Sequence, residues 1–490
     1  MHPGTTNGAT RGFCSATLIG TLPRLLAAVC IAIQLCVCAE AKPPNFILVL
    51  AEGHGWSSTS VQMDDAVPTS KSSFVQTPNL ERLAAGGIRF ANFYAPSPRC
   101  TPSRVAVLTG KSPAQLHMTF INEGRKDSGG KPGAQVLTPS ASMELPTTEV
   151  TIAKLLQHSG YATAHFGKWH MGRASPSQHG FDEHDGPNGN GGPENVANPH
   201  PKQLYAMTEL GADFMTRQVK AGRPFYLQLS HYASRQGGDA STQAVETVKG
   251  WAAAGLNERQ QAEAAATLDL DLAFGQIEHK LIELGIADST YVIFTADHGT
   301  PGRNPPLTGG KGTVSEGGVR VPFIIRGPGV KPGACSHVRT LGVDLLPTLV
   351  ELAGIATPLP PGVEGGSLAS VLRQSGNGVV QRSREEYVVH FPHYDKDAIG
   401  PASAIYLGEF KLVHVYETGQ DELFNLSKDP AERQDLSRDM PDTTKNLSER
   451  LSDYLLGIKA QMPKPNTDYV QGATSERKPD DQARKPRRTR

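Results

Sequence analysis

Five short apolar runs, separated by stretches with helical spacing, constrain the fold of this chain more than any other feature. The runs are rich in β-branched and aromatic residues, which is typical of strands buried on both faces. Between them apolar residues recur at helical spacing, as in the stretch from Leu268 to Leu284 that stops at Gly285. This alternation predicts an α/β fold with a large, mostly parallel sheet wrapped by helices. The five runs are 45–50, 161–166, 225–229, 291–295 and 321–325.

The pattern changes after about residue 375, where short strands follow one another without long helices between them. The runs 387–390, 403–407 and 410–416 predict antiparallel strands, and 444–458 predicts an amphipathic helix. We therefore predict a large domain over 42–375. A smaller C-terminal α+β domain with a short antiparallel sheet would follow over 376–465. The remaining stretch, 466–490, is polar and basic, which is typical of a disordered tail.

The first 41 residues have the pattern of an export signal. Arg11 and Arg24 precede an apolar run over 25–38, and Ala39-Glu40-Ala41 is a small-x-small cleavage sequence. The run is shorter than the roughly 20 residues that span a bilayer. We therefore predict a cleaved signal peptide and export to the periplasm or the extracellular space, without stable membrane insertion. A lipid-modified cysteine in 35–38 is the alternative.

Charge and cysteine content exclude two classes of protein. Lys plus Arg and Asp plus Glu both total 48, so no overall charge points to nucleic acid as a partner. Signal cleavage would leave only Cys100 and Cys335 of the six cysteines. The exported chain therefore has no disulfide framework, and its core must hold it together.

Polar residues follow four of the predicted strands at the point where each strand ends. Ligands of a wound parallel sheet bind at the carboxyl ends of its strands, so these residues are candidates for one site. They are Glu52 and His54 after the first strand, Lys168 and His170 after the second, His231 after the third, and Asp297 and His298 after the fourth.

The segment from Cys100 to Arg104 gives the most specific chemical indication. Thr101 and Pro102 favour a helix start and Gly110 favours its end, which would put Cys100 where helix N–H groups attract an anion. Arg104 lies one helical turn on, where it can bind a tetrahedral oxyanion or orient a modified Cys100. A buried structural cysteine with a surface arginine is the alternative.

The Cys-x-Pro-Ser-Arg element resembles the maturation sequence of the formylglycine-dependent sulfatases (type I, arylsulfatase-like). In that family a formylglycine-generating enzyme oxidises the cysteine to 3-oxoalanine (formylglycine). The resemblance covers roughly 43–464 and implies an alkaline-phosphatase-like fold and a sulfuric ester hydrolase. Further elements that resemble the family, in the same chain order, are Gly167-Lys168-Trp169-His170, Ser230-His231, Asp297-His298-Gly299, Gly309-Gly310-Lys311-Gly312 and Glu316-Gly317-Gly318-Val319-Arg320-Val321-Pro322.

The resemblance also implies roles for the site residues. One hydroxyl of a hydrated aldehyde at Cys100 would attack sulfur, and the other would let sulfate leave. Lys311 and His231 would face the leaving oxygen, one of them donating its proton, and His170 would take the proton that releases sulfate. The residues expected to bind the sulfate ester are Arg104, Lys168, His231 and Lys311.

The resemblance implies a divalent metal, with calcium as the first expectation. The family usually has two aspartates after the first strand and an Asp-Asn pair later, whereas this chain has Glu52-Gly53 and Asp297-His298. A glycine offers no side-chain ligand, and a histidine nitrogen is softer than calcium prefers. We expect the metal at Glu52, Cys100, Asp297 and His298. Candidates to replace the missing ligand are His54, Asp64 and Asp65.

Two other functions remain open from the sequence. A phosphate or phosphonate ester hydrolase of the same superfamily would also bind a tetrahedral anion, and an Asp-His pair suits a transition metal. A metal-deficient, non-catalytic binding protein would explain Gly53, although the other site residues are retained. Export and a polar rim favour a sulfated carbohydrate or polysaccharide as the substrate.

Overall fold

The computed structural model describes residues 42–121, 134–190, 203–232, 240–251, 255–395 and 399–469. The predicted signal peptide at 1–41 and the tail from 470 onward lie outside these ranges. The described residues from Pro44 onward belong to one compact unit. The strands are β1 Asn45–Ala51, β2 Ile88–Phe90, β3 Phe93–Tyr94, β4 Val136–Leu137, β5 Ala162–Gly167, β6 Glu183–His184, β7 Phe225–Ser230, β8 Thr290–Ala296, β9 Phe323–Arg326, β10 Ala334–Ser336, β11 Thr340–Leu341, β12 Tyr387–Phe391, β13 Ala402–Leu407, β14 Phe410–Val415, β15 Gln420–Asn425 and β16 Lys464–Pro465.

The α-helices within the same ranges follow the predicted alternation with strands. Thr77 and Gly87 flank the first helix, which has proline at its first position. The helices are α1 Pro78–Gly86, α2 Cys100–Thr109, α3 Ile152–His158, α4 Leu204–Ala221, α5 Thr242–Trp251, α6 Glu258–Glu283, α7 Glu316–Val319, α8 Leu345–Leu352, α9 Ala369–Arg373 and α10 Pro441–Gly457.

Eight of the described strands form one large sheet in the order β10-β2-β9-β8-β1-β7-β5-β6. The central β1 pairs in parallel with β7 and β8, and all of its residues are buried. Complete burial follows because helices cover both faces of a parallel sheet. Helices α1, α4 and α6 pack together against the sheet, and α2, α3 and α8 form a second group. The predicted α/β fold is confirmed.

The expectation that the fifth run forms a parallel strand is wrong. β9 lies at Phe323–Arg326 and runs antiparallel to both β8 and β2. The chain leaves β8 at the carboxyl edge of the sheet and enters β9 from that same edge. The connection from β8 to β9 contains the four-residue α7 and no longer helix that could cross the sheet. Adjacent strands connected at one edge must be antiparallel.

The C-terminal region forms a four-stranded antiparallel sheet in the order β12-β13-β14-β15. Successive residues of these strands point to opposite faces, so each face has its own apolar set. Val388 and Ile405 belong to the core that includes Leu451 of α10. Their neighbours Val389 and Ala404 belong to a second core that includes Tyr94 and Val319 from the large-sheet region. The small sheet is therefore packed between α10 and the large-sheet region.

Three smaller findings bear on the sequence predictions. Cys100 and Cys335 are both free thiols. β16 pairs with β4, and the Asn466 N–H donates to the Gln135 carbonyl, so ordered backbone continues just past residue 465. None of the helices in the described ranges has the length and apolarity that a membrane span requires.

Candidate active site

Backbone hydrogen bonds continue beyond the ends of four neighbouring strands and bring their polar residues side by side. The Lys168 N–H donates to the Ser230 carbonyl at 2.7 Å, and the His231 N–H donates to the Leu50 carbonyl at 3.0 Å. The Asp297 N–H donates to the Ala51 carbonyl at 3.1 Å. The parallel register of β5, β7, β1 and β8 thus creates a single rim of charged side chains, as the order of the sequence elements predicted.

Helix α2 delivers Cys100 to this rim. Cys100 is its first residue, and Gly110, with φ of 68°, ends it in the left-handed conformation that glycine favours. The side chain is 2% exposed. Its thiol donates to Glu52 Oε1 at 3.0 Å, and Sγ lies 3.2 Å from His298 Nε2. In formylglycine an oxygen would replace this sulfur, so Sγ marks where the reactive group would stand.

Four predicted ligands form a buried cluster with the chemistry of a metal site. Glu52, Cys100, Asp297 and His298 each place a ligand atom within 4.8 Å of the others. The His298 Nδ1–H donates to the Gly299 carbonyl at 2.9 Å. This bond fixes the tautomer and leaves Nε2 facing the other three side chains, as outer hydrogen bonds do for histidine ligands. The residues present therefore fit a divalent cation.

Gly53 makes room for the histidine that departs from the family pattern. Its φ is +61°, and a Cβ at this position would lie 2.9 Å from His298 Cε1 and 3.3 Å from Nδ1. The Gly53 N–H also donates to Asp297 Oδ1 at 2.9 Å. The two departures from the family pattern, Gly53 and His298, therefore depend on each other. Because residue 53 has no side chain, the imidazole of His298 can occupy the space beside it.

The candidate replacement ligands do not join the cluster. The Asp65 side chain is 64% exposed and pairs with Arg89, while Asp64 lies 3.2 Å from His337 Nε2. Those hypotheses are wrong because both aspartates have partners elsewhere. His54 is buried, but it too lies outside the four-residue group, with Nδ1 3.3 Å from the Glu52 carbonyl.

Arg104 contacts the carboxylates of the cluster from within the protein. Its Nη2 donates to Glu52 Oε2 and Asp297 Oδ2, both at 2.9 Å, and its Nη1 donates to the Lys168 carbonyl at 2.6 Å. The side chain is 1% exposed. Most of its donors are therefore used within the protein, where they hold the Glu52 and Asp297 carboxylates in place.

The cluster carries more positive than negative charge. Glu52 Oε2 lies 2.9 Å from Lys168 Nζ, and Glu52 Oε1 lies 3.0 Å from Lys311 Nζ. Burial acts to raise the pKa of Glu52, but these two ammonium groups hold it well below its ordinary value. Burial also acts to raise the pKa of the Cys100 thiol. The surrounding cations outweigh burial and hold this pKa well below its ordinary value. Three cationic side chains, the two lysines and Arg104, thus face the two carboxylates of the cluster. This excess of positive side chains suits a bound anion.

The two remaining histidines are held at the same rim. His170 has a φ of 56°, and its carbonyl accepts a 2.7 Å hydrogen bond from Thr101 of α2. Such a left-handed residue is maintained by its surroundings and fixes the direction of the side chain. His231 is 2% exposed. Burial, together with the nearby Arg104 guanidinium, lowers the pKa of His231 to about 3, so its imidazole is neutral before substrate binds.

The residues that hold the loop after β5 were not predicted from the sequence. The Asp185 carboxylate accepts the Gly167 N–H at 2.9 and 3.0 Å. The Asn188 carbonyl accepts the N–H groups of Trp169 and His170 at 2.8 and 3.0 Å. The residues that make these contacts have no characteristic spacing in the sequence. A backbone carbonyl, moreover, gives no signal in a sequence.

Comparison with known proteins agrees with this geometry. The Sulfatase family model matches residues 44–355, and the model "N-sulphoglucosamine sulphohydrolase, C-terminal" matches residues 310–461. Arylsulfatase A of Homo sapiens is 30% identical over an alignment 495 positions long, which covers 86% of this chain and 89% of the relative. The chain belongs to the sulfatase family. N-acetylgalactosamine-6-sulfatase of Sus scrofa is 30% identical over an alignment 408 positions long, which covers 72% of this chain and 73% of the relative.

The sulfatase also has the fold of solved relatives. The crystal structure of Ps i-CgsB in complex with k-i-k-neocarrahexaose matches with a TM-score of 0.69 at 22% identity, covering 84% of this chain and 93% of that one. Family membership makes the protein a sulfuric ester hydrolase. It also implies a divalent metal and a formylglycine, for which the buried Glu52, Cys100, Asp297 and His298 supply a fitting set.

Proposed function

We propose that this protein hydrolyses sulfate esters of a sulfated carbohydrate through a formylglycine formed from Cys100. The observation that carries the proposal is the place of Cys100 Sγ, at the start of α2 and within 3.4 Å of Glu52 Oε1, His298 Nε2 and Lys311 Nζ. A reactive group there would meet metal ligands on one side and an ammonium on the other. When present, the hydrated aldehyde supplies a hydroxyl nucleophile together with a second hydroxyl that allows sulfate to leave.

The surrounding cations would bind and polarise the sulfate group. Lys168 and Lys311 each lie at one carboxylate oxygen of Glu52, and both act electrostatically on the Cys100 thiol at the reacting position. Fixed charges in a water-poor site stabilise developing negative charge without reorganising during the reaction. Arg104 would hold Glu52 and Asp297 in place beneath them. It is a positioning residue in this proposal, not a sulfate ligand.

Lys311 and His231 would act on the leaving oxygen. The pKa of Lys311 is raised, because Glu52 and Cys100 outweigh the opposing effect of burial, so this ammonium keeps its proton. His231 is neutral in the unliganded protein, and the negative charge of a bound sulfate would favour its protonation. His170, held at the start of α2, would accept the proton whose loss releases sulfate.

The metal would be held by Glu52, Asp297, His298 and the modified residue 100. Once bound, it supplies positive charge that polarises the sulfate ester. The resemblance implies calcium, whereas a set containing two carboxylates and one imidazole nitrogen favours a first-row transition ion such as Mn²⁺. Elemental analysis of protein purified without added metal decides between them.

The carbohydrate substrate is inferred from related proteins and from the polar rim. One relative is named N-acetylgalactosamine-6-sulfatase, and one structural neighbour was solved in complex with k-i-k-neocarrahexaose. The N-terminal pattern adds export to the periplasm or beyond, where sulfated polysaccharides would be met. A formylglycine-generating enzyme is the partner required before the enzyme can act.

The test combines mass spectrometry with paired substrates. The peptide containing Cys100 should carry the aldehyde when a maturation enzyme is co-expressed, and Cys100→Ala should abolish turnover without unfolding the protein. Sulfate and phosphate esters of the same phenol should be compared in one assay. Faster phosphate release would favour the phosphatase alternative, and full activity with unmodified Cys100 would contradict the mechanism.

A further inference from the structure

A cavity of about 420 Å³ lies between the loop that follows β1 and the loop that follows β8. Both loops leave the carboxyl edge of the sheet, where the candidate active site lies. The lining combines hydroxyl groups of several serines with the aromatic ring of Phe74 and the cations Lys71 and Arg303. Hydroxyl, aromatic and cationic groups together are suited to a sugar that carries a negative charge.

The cavity wall is continuous with the backbone that carries the active-site residues. Thr300 Oγ1 accepts the Gly55 N–H at 2.9 Å and lies 2.7 Å from the Ser58 hydroxyl oxygen. The Thr300 carbonyl accepts the Lys311 N–H at 3.0 Å. Arg303 follows His298 by five residues, so the two Cα atoms are within roughly 18 Å of each other. The cavity therefore lies within the length that an oligosaccharide bound at the rim would span.

Within the described part of the chain, the cations at this cavity form no ion pair with a carboxylate. Lys71, Arg259 and Arg303 are exposed. Within the described ranges none of the three has an acidic partner at ion-pair distance. Arg259 belongs to the same surface, because a Cβ on Gly302 would lie 2.9 Å from its Nη2. One carboxylate, Glu263, also lines the cavity and can accept hydrogen bonds from sugar hydroxyls.

We propose that this cavity is a second anion-binding subsite, which holds a sulfate or carboxylate group of an acidic oligosaccharide. The scissile sulfate of the same molecule would lie at Cys100. The inference rests on the proposed function and narrows its substrate class to glycans with at least two negative groups.

The binding test uses calorimetry with a heparin-derived tetrasaccharide on Cys100→Ala protein, in which turnover does not interfere. The double variant Lys71→Gln/Arg303→Gln should raise the dissociation constant roughly 2- to 30-fold, the range for two exposed ion pairs. The matched control is Lys220→Gln/Lys331→Gln, which removes the same charge. Lys220 precedes β7 and Lys331 follows the antiparallel β9, so both lie toward the opposite edge of the sheet. The control should change binding less than twofold.

Kinetics separate this subsite from the proposed function. The kinetic test uses enzyme without the Cys100→Ala change, matured to carry formylglycine at residue 100. In this enzyme the Lys71 and Arg303 substitutions should raise KM for the oligosaccharide. They should leave kcat/KM for a small aryl sulfate within twofold. Equal losses in the test and control pairs, or an unchanged dissociation constant in the test pair, would overturn the subsite. Wild-type enzyme that releases no sulfate from either substrate would contradict the proposed function instead, and the binding difference would still decide the subsite.

Discussion

The fit between Gly53 and His298 yields the sharpest prediction about the metal site. Gly53→Asp would restore the carboxylate pair that the family usually carries, yet its Cβ would lie 2.9 Å from His298 Cε1. Real Cβ contacts are essentially never this short, so the imidazole must move. Moving it breaks the 2.9 Å hydrogen bond from Nδ1 to the Gly299 carbonyl and displaces Nε2 from the cluster.

The expected loss follows from what that hydrogen bond does. Removing the group that orients a histidine ligand typically lowers metal affinity about 10- to 100-fold, or roughly 1.4–2.7 kcal/mol. Gly53→Asp should therefore weaken Mn²⁺ binding by this factor. His298→Asn alone should also weaken it, because the imidazole nitrogen that suits Mn²⁺ is lost. In the double variant the clash is gone, so the two changes should couple favourably by about 0.5–3 kcal/mol.

The assay is titration of metal-stripped protein with Mn²⁺ and with Ca²⁺ against a competing chelator, followed by elemental analysis. Gly222→Asp is the matched control. Its φ of +65° is close to that of Gly53, and a Cβ there would meet nothing within 4 Å. This control measures backbone strain alone and should leave metal affinity unchanged. The double variant should bind Ca²⁺ relatively better than wild type does.

Additive effects of the two substitutions would refute the spatial argument, since they would mean that residue 53 does not limit the imidazole. Tighter Ca²⁺ than Mn²⁺ binding by the wild type would refute the choice of metal while leaving the clash intact.

Three further predictions concern catalysis and stability. His231→Ala should lower turnover about 10²–10⁴-fold with an alkyl sulfate but much less with an activated aryl sulfate, measured as kcat/KM for both esters. His170→Ala should slow sulfate release equally for both esters. With the aryl sulfate, rapid quenching should therefore show a burst of phenol ahead of free sulfate. The same dependence on the ester in both variants would contradict these roles. The buried Lys411 ammonium lies 3.2 Å from Glu316 and 2.6 Å from Glu432. Lys411→Met should therefore lower the free energy of unfolding by about 3–5 kcal/mol in urea titrations, because two buried carboxylates lose their cation. Lys445→Met, at an exposed pair, should have little effect.

The sequence was sufficient for the longer strands of the sheet and for the order of the site residues, which depend on local pattern. Apolar runs located the strands, because a strand buried on both faces must be apolar throughout. The order of strands and polar residues predicted one rim, because parallel strands end at the same edge. The start of α2 at Cys100 and its end at Gly110 followed from local helix-capping preferences. Family resemblance then gave the chemistry at that rim.

Only the tertiary structure decided features that depend on distant partners. The direction of β9 depends on the edge from which the chain enters it. The place of Arg104 beneath Glu52 and Asp297 depends on the packing of α2 against two strand ends. Gly53 and Asp297 meet across 244 residues of sequence, and no spacing rule encodes whether a neighbour fills the room that a glycine leaves. Local preference fixes where elements begin and end, whereas packing in three dimensions decides which side chains share a space.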